Sequence, residues 1–198
     1  MDEFWRGRLS PDACAASGAA DARTHLAIAT EALGGLEVQL IYYRGFGECR
    51  ASRWVANSGE LLRFMTGVFC LAGQTQLGKV LKRAIKETRQ KKVSALVFVG
   101  DAMEEPIDDL CVVAGELGLL GVRAFMFQEG YDPMVETAYR EIARLTHGAY
   151  GRFDAGAAHE LGELLRAVAA YAAGGLEALQ ALSSRRAGGA RKLLAQLR

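Results

Sequence analysis

KKVSALVFVGDAMEEP, Lys91 to Pro106, is the stretch that decides the fold of this 198-residue chain. Its centre, Val93 to Val99, is a short apolar run rich in β-branched and aromatic residues, and it stops at Gly100-Asp101. A run apolar on both faces predicts a strand covered on both sides, as inside a parallel sheet. In open α/β sheets, ligands sit just beyond the carboxyl ends of the strands. Asp101 stands at that position, with Glu104, Glu105, Asp108 and Asp109 close behind. Carboxylates so crowded repel one another unless a cation or a helix N-terminus compensates. Placement in the first turn of the following helix accounts for the last four. Asp101 precedes that helix and abuts the strand.

Downstream, Pro106 suits the first turn of a helix to Leu117 that buries Ile107, Leu110, Cys111, Ala114 and Leu117. VRAFMF, Val122 to Phe127, predicts another two-faced strand. Asp132-Pro133 caps and starts a helix burying Val135, Ala138, Ile142 and Leu145. Ala149 to Phe153 is a last short strand. A helix from Ala157 to Ala173 turns Leu161, Leu164, Leu165 and Val168 inward, and Gly174-Gly175 interrupts it. The tail, 174–198, carries Arg185, Arg186, Arg191, Lys192 and Arg198. It reads as a basic helical tail that contacts an anionic surface or a partner, or else as a frayed terminus.

Upstream, Gln76 to Gln90 predicts a helix with Leu77, Val80, Leu81, Ala84 and Ile85 on its apolar face. Lys79, Lys82, Arg83, Lys86 and Arg89 on the other face read as a solvated surface, because no aromatic residue interleaves them. GQTQLG sets Thr75 in a glycine-flanked loop before this helix. Its hydroxyl reads as a helix cap, or as a ligand for a hard cation such as Mg²⁺. LEVQLIYY, Leu36 to Tyr43, and ECRASRWV, Glu48 to Val55, predict a hairpin at a sheet edge, guarded by Arg50 and Arg53. A short helix, Glu60 to Met65, follows with Ser58 as its cap. Asp21 to Leu33 predicts a helix stopped by Gly34-Gly35, and residues 1–20 are poorly patterned.

Strands and helices alternate from Leu36 onward. This predicts an α/β fold with a doubly wound, Rossmann-like, mostly parallel sheet, one antiparallel edge strand and a weak or missing first strand. The expected divisions are 1–20, an α/β domain over 21–173, and the tail 174–198. A net charge of +1 argues against nucleic acid as a partner. Cys14, Cys49, Cys70 and Cys111 are scattered without a C-x-x-C pair, which points to a reducing compartment. No apolar run approaches membrane-spanning length and the N-terminus lacks a secretory apolar core, so a cytoplasmic location is expected. His25, His147 and His159 pair with no nucleophile and no phosphate-binding glycine loop is present, so no catalytic constellation emerges.

From Leu36 to Ala173 the chain resembles a von Willebrand factor type A (VWA) domain. The order of LEVQLIYY, ECRASRWV, GQTQLG, helix, ALVFVGD, helix, VRAFMF and helix carries the resemblance, and EIARLTHGAYGRFD resembles the way such domains lead into their last strand. The resemblance implies a protein-interaction module rather than an enzyme. It also implies a metal-ion-dependent adhesion site, in which Mg²⁺ or Mn²⁺ keeps an open position for a partner's acidic side chain. Three loops build such a site: Asp-x-Ser/Thr-x-Ser after the first strand, a Thr and an Asp. Thr75 matches the second element and Asp101 the third. The first corresponds to Asp12-Ala13-Cys14-Ala15-Ala16-Ser17, where Cys and Ala replace the hydroxyls and no apolar strand precedes. Cys14 is a poor ligand for a hard ion. Gly73, Gln74, Gly100 and Glu104 are the expected partner contacts. Two alternatives stand beside this reading. One is a metal-dependent small-molecule or phosphoester hydrolase using Asp101 as ligand or base. The other is a metal-independent scaffold working through the hairpin or the tail.

Overall fold

A computed structural model describes residues 36–68, 73–154, 157–185 and 187–197. Asp12, Cys14, Cys70, His25 and the helix expected over 21–33 lie outside the described residues. An antiparallel pair comes first, β1 (Ile41–Arg44) and β2 (Glu48–Ala51). A bridge between Val38 and Val55 continues the pairing where the sequence predicts longer strands. Then follow α1 (Ser58–Thr66), α2 (Leu77–Gln90), β3 (Ala95–Gly100), α3 (Ile107–Leu119), β4 (Arg123–Glu129), α4 (Pro133–Leu145), β5 (Ala149–Phe153), α5 (Ala158–Ser184) and α6 (Gly188–Leu194). The strands β3, β4 and β5 form a parallel sheet in that order. The architecture is therefore α/β and Rossmann-like, as expected. The antiparallel pair is a sheet of its own: among the described residues, β1 ladders with β2 and β3 with β4.

Alternation along the strands builds two cores. On one face Leu96, Phe98 and Met126 meet Leu81 and Ile85 of α2, Leu110 of α3, and Tyr139 and Ile142 of α4. On the other, Phe125, Phe127 and Phe153 meet Leu164 and Val168 of α5 and Leu193 of α6. Burial on both faces, predicted for the Val93–Val99 run, belongs instead to the central strand β4, buried from Ala124 to Gln128. In β3, Leu96 and Phe98 are buried but Val99 is 42 % exposed. The second-face helix α6 packs over β5, at the far side of the sheet from β3.

Two caps follow from side-chain chemistry. Asn57, not Ser58, caps α1: its Oδ1 accepts from the Gly59 and Glu60 N–H groups at 2.8 and 3.2 Å. Asp132 caps α4 as predicted, accepting from Met134 and Val135, with Pro133 at the first helical position.

The tail folds back onto the sheet. α5 kinks at Gly174 and Gly175, where Gly175 has φ +66°. Leu179, Ala190, Leu193 and Leu197 are buried in the second core, while Arg185, Arg191 and Lys192 stay exposed. The Gln196 side chain accepts from the Tyr150 N–H at 3.0 Å and donates to the Tyr150 carbonyl at 2.8 Å. One amide thus pairs with the backbone of β5, the strand at the sheet margin.

Candidate functional site at the carboxyl ends of the strands

The N-terminus of α2 lacks a cap of its own. Gln76 makes no side-chain cap bond, and the first turn holds no acid. Orphan N–H groups at a helix start need acceptors, and the helix dipole favours anions there. The loop after β3 supplies them. Glu104 Oε2 accepts the Thr75 N–H at 2.9 Å, and the Glu105 carboxylate accepts the Gly78 N–H at 3.0 and 3.2 Å. A Cβ at Gly78 would fall 2.9 Å from Glu105 Oε1, so the glycine leaves room for the close approach of that carboxylate. The expectation that Glu104 and Glu105 serve their own following helix is thus corrected. Glu105 serves the first turn of the helix before, and Glu104 the loop that leads into it. Only Asp108 and Asp109 occupy the first turn of α3, which Pro106 precedes as the cap residue.

Thr75 is 2 % exposed. Its hydroxyl donates to the Ala102 carbonyl at 3.3 Å, so it ties the two loops together instead of capping α2. The Tyr139 hydroxyl donates to the same carbonyl, also at 3.3 Å. Tyr43, at the end of β1, hydrogen-bonds to Thr75. Burial pushes the Tyr43 phenol well above its ordinary pKa; the Thr75 bond opposes this, and the charges of Asp101, Glu104 and Glu105 reinforce it. Burial does the same to Tyr139, with Tyr43 and the same three acids adding to it. The Tyr43 and Phe98 rings stack with centroids 6.3 Å apart, and Phe98 meets Tyr139 edge to face at 5.6 Å. At Gly100 a Cβ would come within 2.8 Å of the Tyr139 hydroxyl, so the residue before Asp101 makes room for this aromatic layer.

The charge of Asp101 acts on groups from three elements: Tyr43 of β1, Glu129 at the end of β4, and Tyr139 of α4. The Glu129 carboxyl is raised above the usual range by burial, and the charge of Asp101 adds to the shift. Sequence patterns did not single out Tyr43, Tyr139 or Glu129. All three sit in or beside apolar runs, where only the packing shows which side chain reaches the strand ends.

The hairpin tip is fixed to the same end. Gln76 Nε2 donates to the Gly45 carbonyl at 3.2 Å, and Lys79 Nζ donates to the Gly47 carbonyl at 2.8 Å. A Cβ at Gly73 would fall 2.0 Å from the Gly45 oxygen, so Gly73 lies against the tip. Gln74 and Glu104 are exposed, and Gly100 is partly buried. Phe46 and Tyr131 in the connections and Met134 in the first turn of α4 are exposed large apolar residues. Tyr131 is held by a hydrogen bond to Asp154 and by the Arg152 guanidinium, 4.4 Å above its ring.

As a cation site, the described part of this end is incomplete. The Thr75 hydroxyl is engaged with Ala102, Glu104 with the Thr75 N–H, and Glu105 with the first turn of α2. Among the described residues, no three His, Cys, Asp or Glu side chains converge to hold a metal ion. Asp12 lies outside the described residues.

No protein-family model matches this chain, and no curated protein matches it. Among solved structures it is similar to an aerotolerance-related membrane protein from Bacteroides fragilis NCTC 9343, whose structure was determined with multiple mutations to serines. The two share 15 % identity with a TM-score of 0.58, over 74 % of this chain and 85 % of that one. At that identity the likeness shows the fold alone, and it supports a VWA-like fold. No helix among the described residues is long and apolar enough to cross a membrane.

Proposed function

We propose that this chain is a VWA-like protein-interaction module whose partner docks at the carboxyl ends of the strands. The observation supporting this is the grouping of exposed Phe46, Tyr131 and Met134 with the acids Asp101, Glu104 and Glu129 at one end of the sheet. Large exposed side chains around a polar centre are the kind of surface that anchors a partner. Gln74 and Gly100 belong to the same surface, and Gly73 holds its hairpin side.

Charge sets the chemistry of the partner. Without a cation, this end attracts a basic side chain. With Mg²⁺ or Mn²⁺ bound by Thr75, Asp101 and Asp12, it attracts an acidic one. Calorimetric titration of the full chain with each ion separates the two. Heat in the wild type that is lost in both Thr75→Ala and Asp101→Ala is the result expected of the cation-dependent form. No heat in any of the three proteins ends that form and leaves the basic partner. Turnover of generic phosphoesters that disappears in Asp101→Asn would overturn the binding-module reading in favour of a hydrolase.

A further inference from the structure

The hairpin and α1 form a cleft on the face of the hairpin turned away from the Tyr43–Phe98 stack. Tyr42 of β1 and Arg50 of β2 are cross-strand partners. Side chains alternate along a strand, and Tyr43 and Cys49 pack against the first core, so Tyr42 and Arg50 point to the opposite face. There they line a cleft of about 350 Å³, with Arg63 and Phe64 of α1 and its C-cap Gly67 also lining it. Each of these two arginines shares a carboxylate with a second arginine: Glu48 pairs with Arg44 and Arg50, and Glu60 with Arg53 and Arg63. The sharing is unequal. Glu48 accepts two hydrogen bonds from Arg44, at 2.7 and 3.0 Å, and Glu60 accepts one from Arg53 at 2.8 Å. Arg50 touches Glu48 through Nε, and among the described residues its two terminal nitrogens donate no hydrogen bond. Arg63 stands 3.7 Å from Glu60 and donates none either.

We propose that this cleft binds an aromatic phosphomonoester, its phosphate held by Arg50 and Arg63 and its ring against Tyr42 and Phe64. A phosphomonoester carries close to two negative charges and three terminal oxygens. Guanidinium forks bind such oxygens in pairs. Three oxygens can serve two forks from separate elements, which the two oxygens of one carboxylate serve less well. Glu48 and Glu60 do not cancel the attraction: their hydrogen bonds go to Arg44 and Arg53, and four guanidiniums face two carboxylates. The carbonyl end of α1, at Gly67, disfavours an anion, so the uncharged ring belongs on the Phe64 side. Tyr42 and Phe64 are partly buried and offer the ring a flat apolar surface. The Arg53 guanidinium, 5.7 Å from the Phe64 centroid, holds that side chain in place. Exposed arginines alone read as a solvated surface. Two of them lining one aromatic cleft, with their carboxylates hydrogen-bonded elsewhere, form a site for an anion. Phosphotyrosine and a nucleoside monophosphate both present this chemistry.

The test titrates phenyl phosphate with the full chain and follows the ligand by phosphorus NMR. Saturable binding is expected, at least about fivefold tighter than that of inorganic phosphate or benzoate. Affinity should fall at least about tenfold in Arg50→Gln/Arg63→Gln. Tyr42→Ala should weaken phenyl phosphate and leave inorganic phosphate unchanged. Arg50 and Arg63 are exposed, and unchanged thermal unfolding of the double variant confirms that it folds. Lys82→Gln/Lys86→Gln removes two charges from the exposed face of α2 and should bind as the wild type does. The proposal is overturned by absent binding, by inorganic phosphate or benzoate binding as tightly as phenyl phosphate, or by an arginine variant that binds normally. An equal loss in the lysine variant also overturns it, since any surface cation would then serve. Adenosine monophosphate and a phosphotyrosine peptide, titrated in the same way, separate the two sources. Tighter binding of either supports the proposal and names its source, and failure of both overturns it.

Discussion

Glu105 belongs to the loop after β3, yet its hydrogen bonds are made to α2. Gln76 offers no cap, so Glu105→Ala leaves the Gly78 N–H without an acceptor and removes a negative charge from the positive end of a helix dipole. The expected cost is about 1 kcal/mol in urea unfolding, with Glu105→Gln losing less because it keeps an acceptor oxygen. Glu129 has the opposite sign. Its folded carboxyl is raised by burial and by Asp101, so the native state holds the proton more tightly than the unfolded chain does. Stability is therefore lost as pH rises from the ordinary glutamate pKa through the raised one. Glu129→Gln should be more stable than wild type at pH 7 and should flatten that part of the stability–pH curve, as followed by thermal unfolding between pH 4 and 8. The sequence allowed Thr75 and Asp101 to be picked out, because a hydroxyl in a glycine-flanked loop and an acid at a strand end stand out locally. It hid Tyr43, Tyr139 and Glu129, whose part in the site comes from neighbours distant in the chain.

At the scale of elements, among the described residues apolar periodicity located α2, α3, α4 and the three parallel strands within a few residues. It did not say which strand is central. The two-faced apolar patterns of β3 and β4 look alike, and hydrogen-bonding order alone leaves Val99 partly uncovered while β4 is enclosed. The tail is similar. Its leucines at helical spacing suggested an amphipathic helix, but their burial against Phe125 and Phe153 depends on the glycine kink that turns α5 back. Gln196 then pairs with Tyr150 at the sheet margin. Gln196→Ala should lower stability by about 1 kcal/mol and speed hydrogen exchange at the Tyr150 amide, while amides in the middle of β4 keep their protection.

Across the whole molecule, the antiparallel pair and the parallel sheet are separate ladders joined by side chains. The Tyr43–Phe98 stack, the Gln76 and Lys79 bonds to the hairpin tip, and Trp54 Nε1 donating to Glu87 at 2.9 Å make the connection. Gly73 sits where the loop before α2 meets the tip. Gly73→Ala would push a methyl group into the Gly45 carbonyl, so the loop or the hairpin must move. A destabilisation of about 1–3 kcal/mol is expected. Hydrogen exchange should rise in β1 and β2 and stay low in β4 and β5; a uniform rise would mean that the hairpin is not a separable unit. By itself, the sequence determined the alternation of strands and helices and an acid at the carboxyl end of β3, because hydrophobic period and turn residues act over a few positions. The tertiary structure decided that Glu105 caps the helix before it in the chain and Glu104 the loop leading into that helix, and which strand lies at the centre. Those outcomes depend on side chains from distant segments meeting, and no local pattern records that.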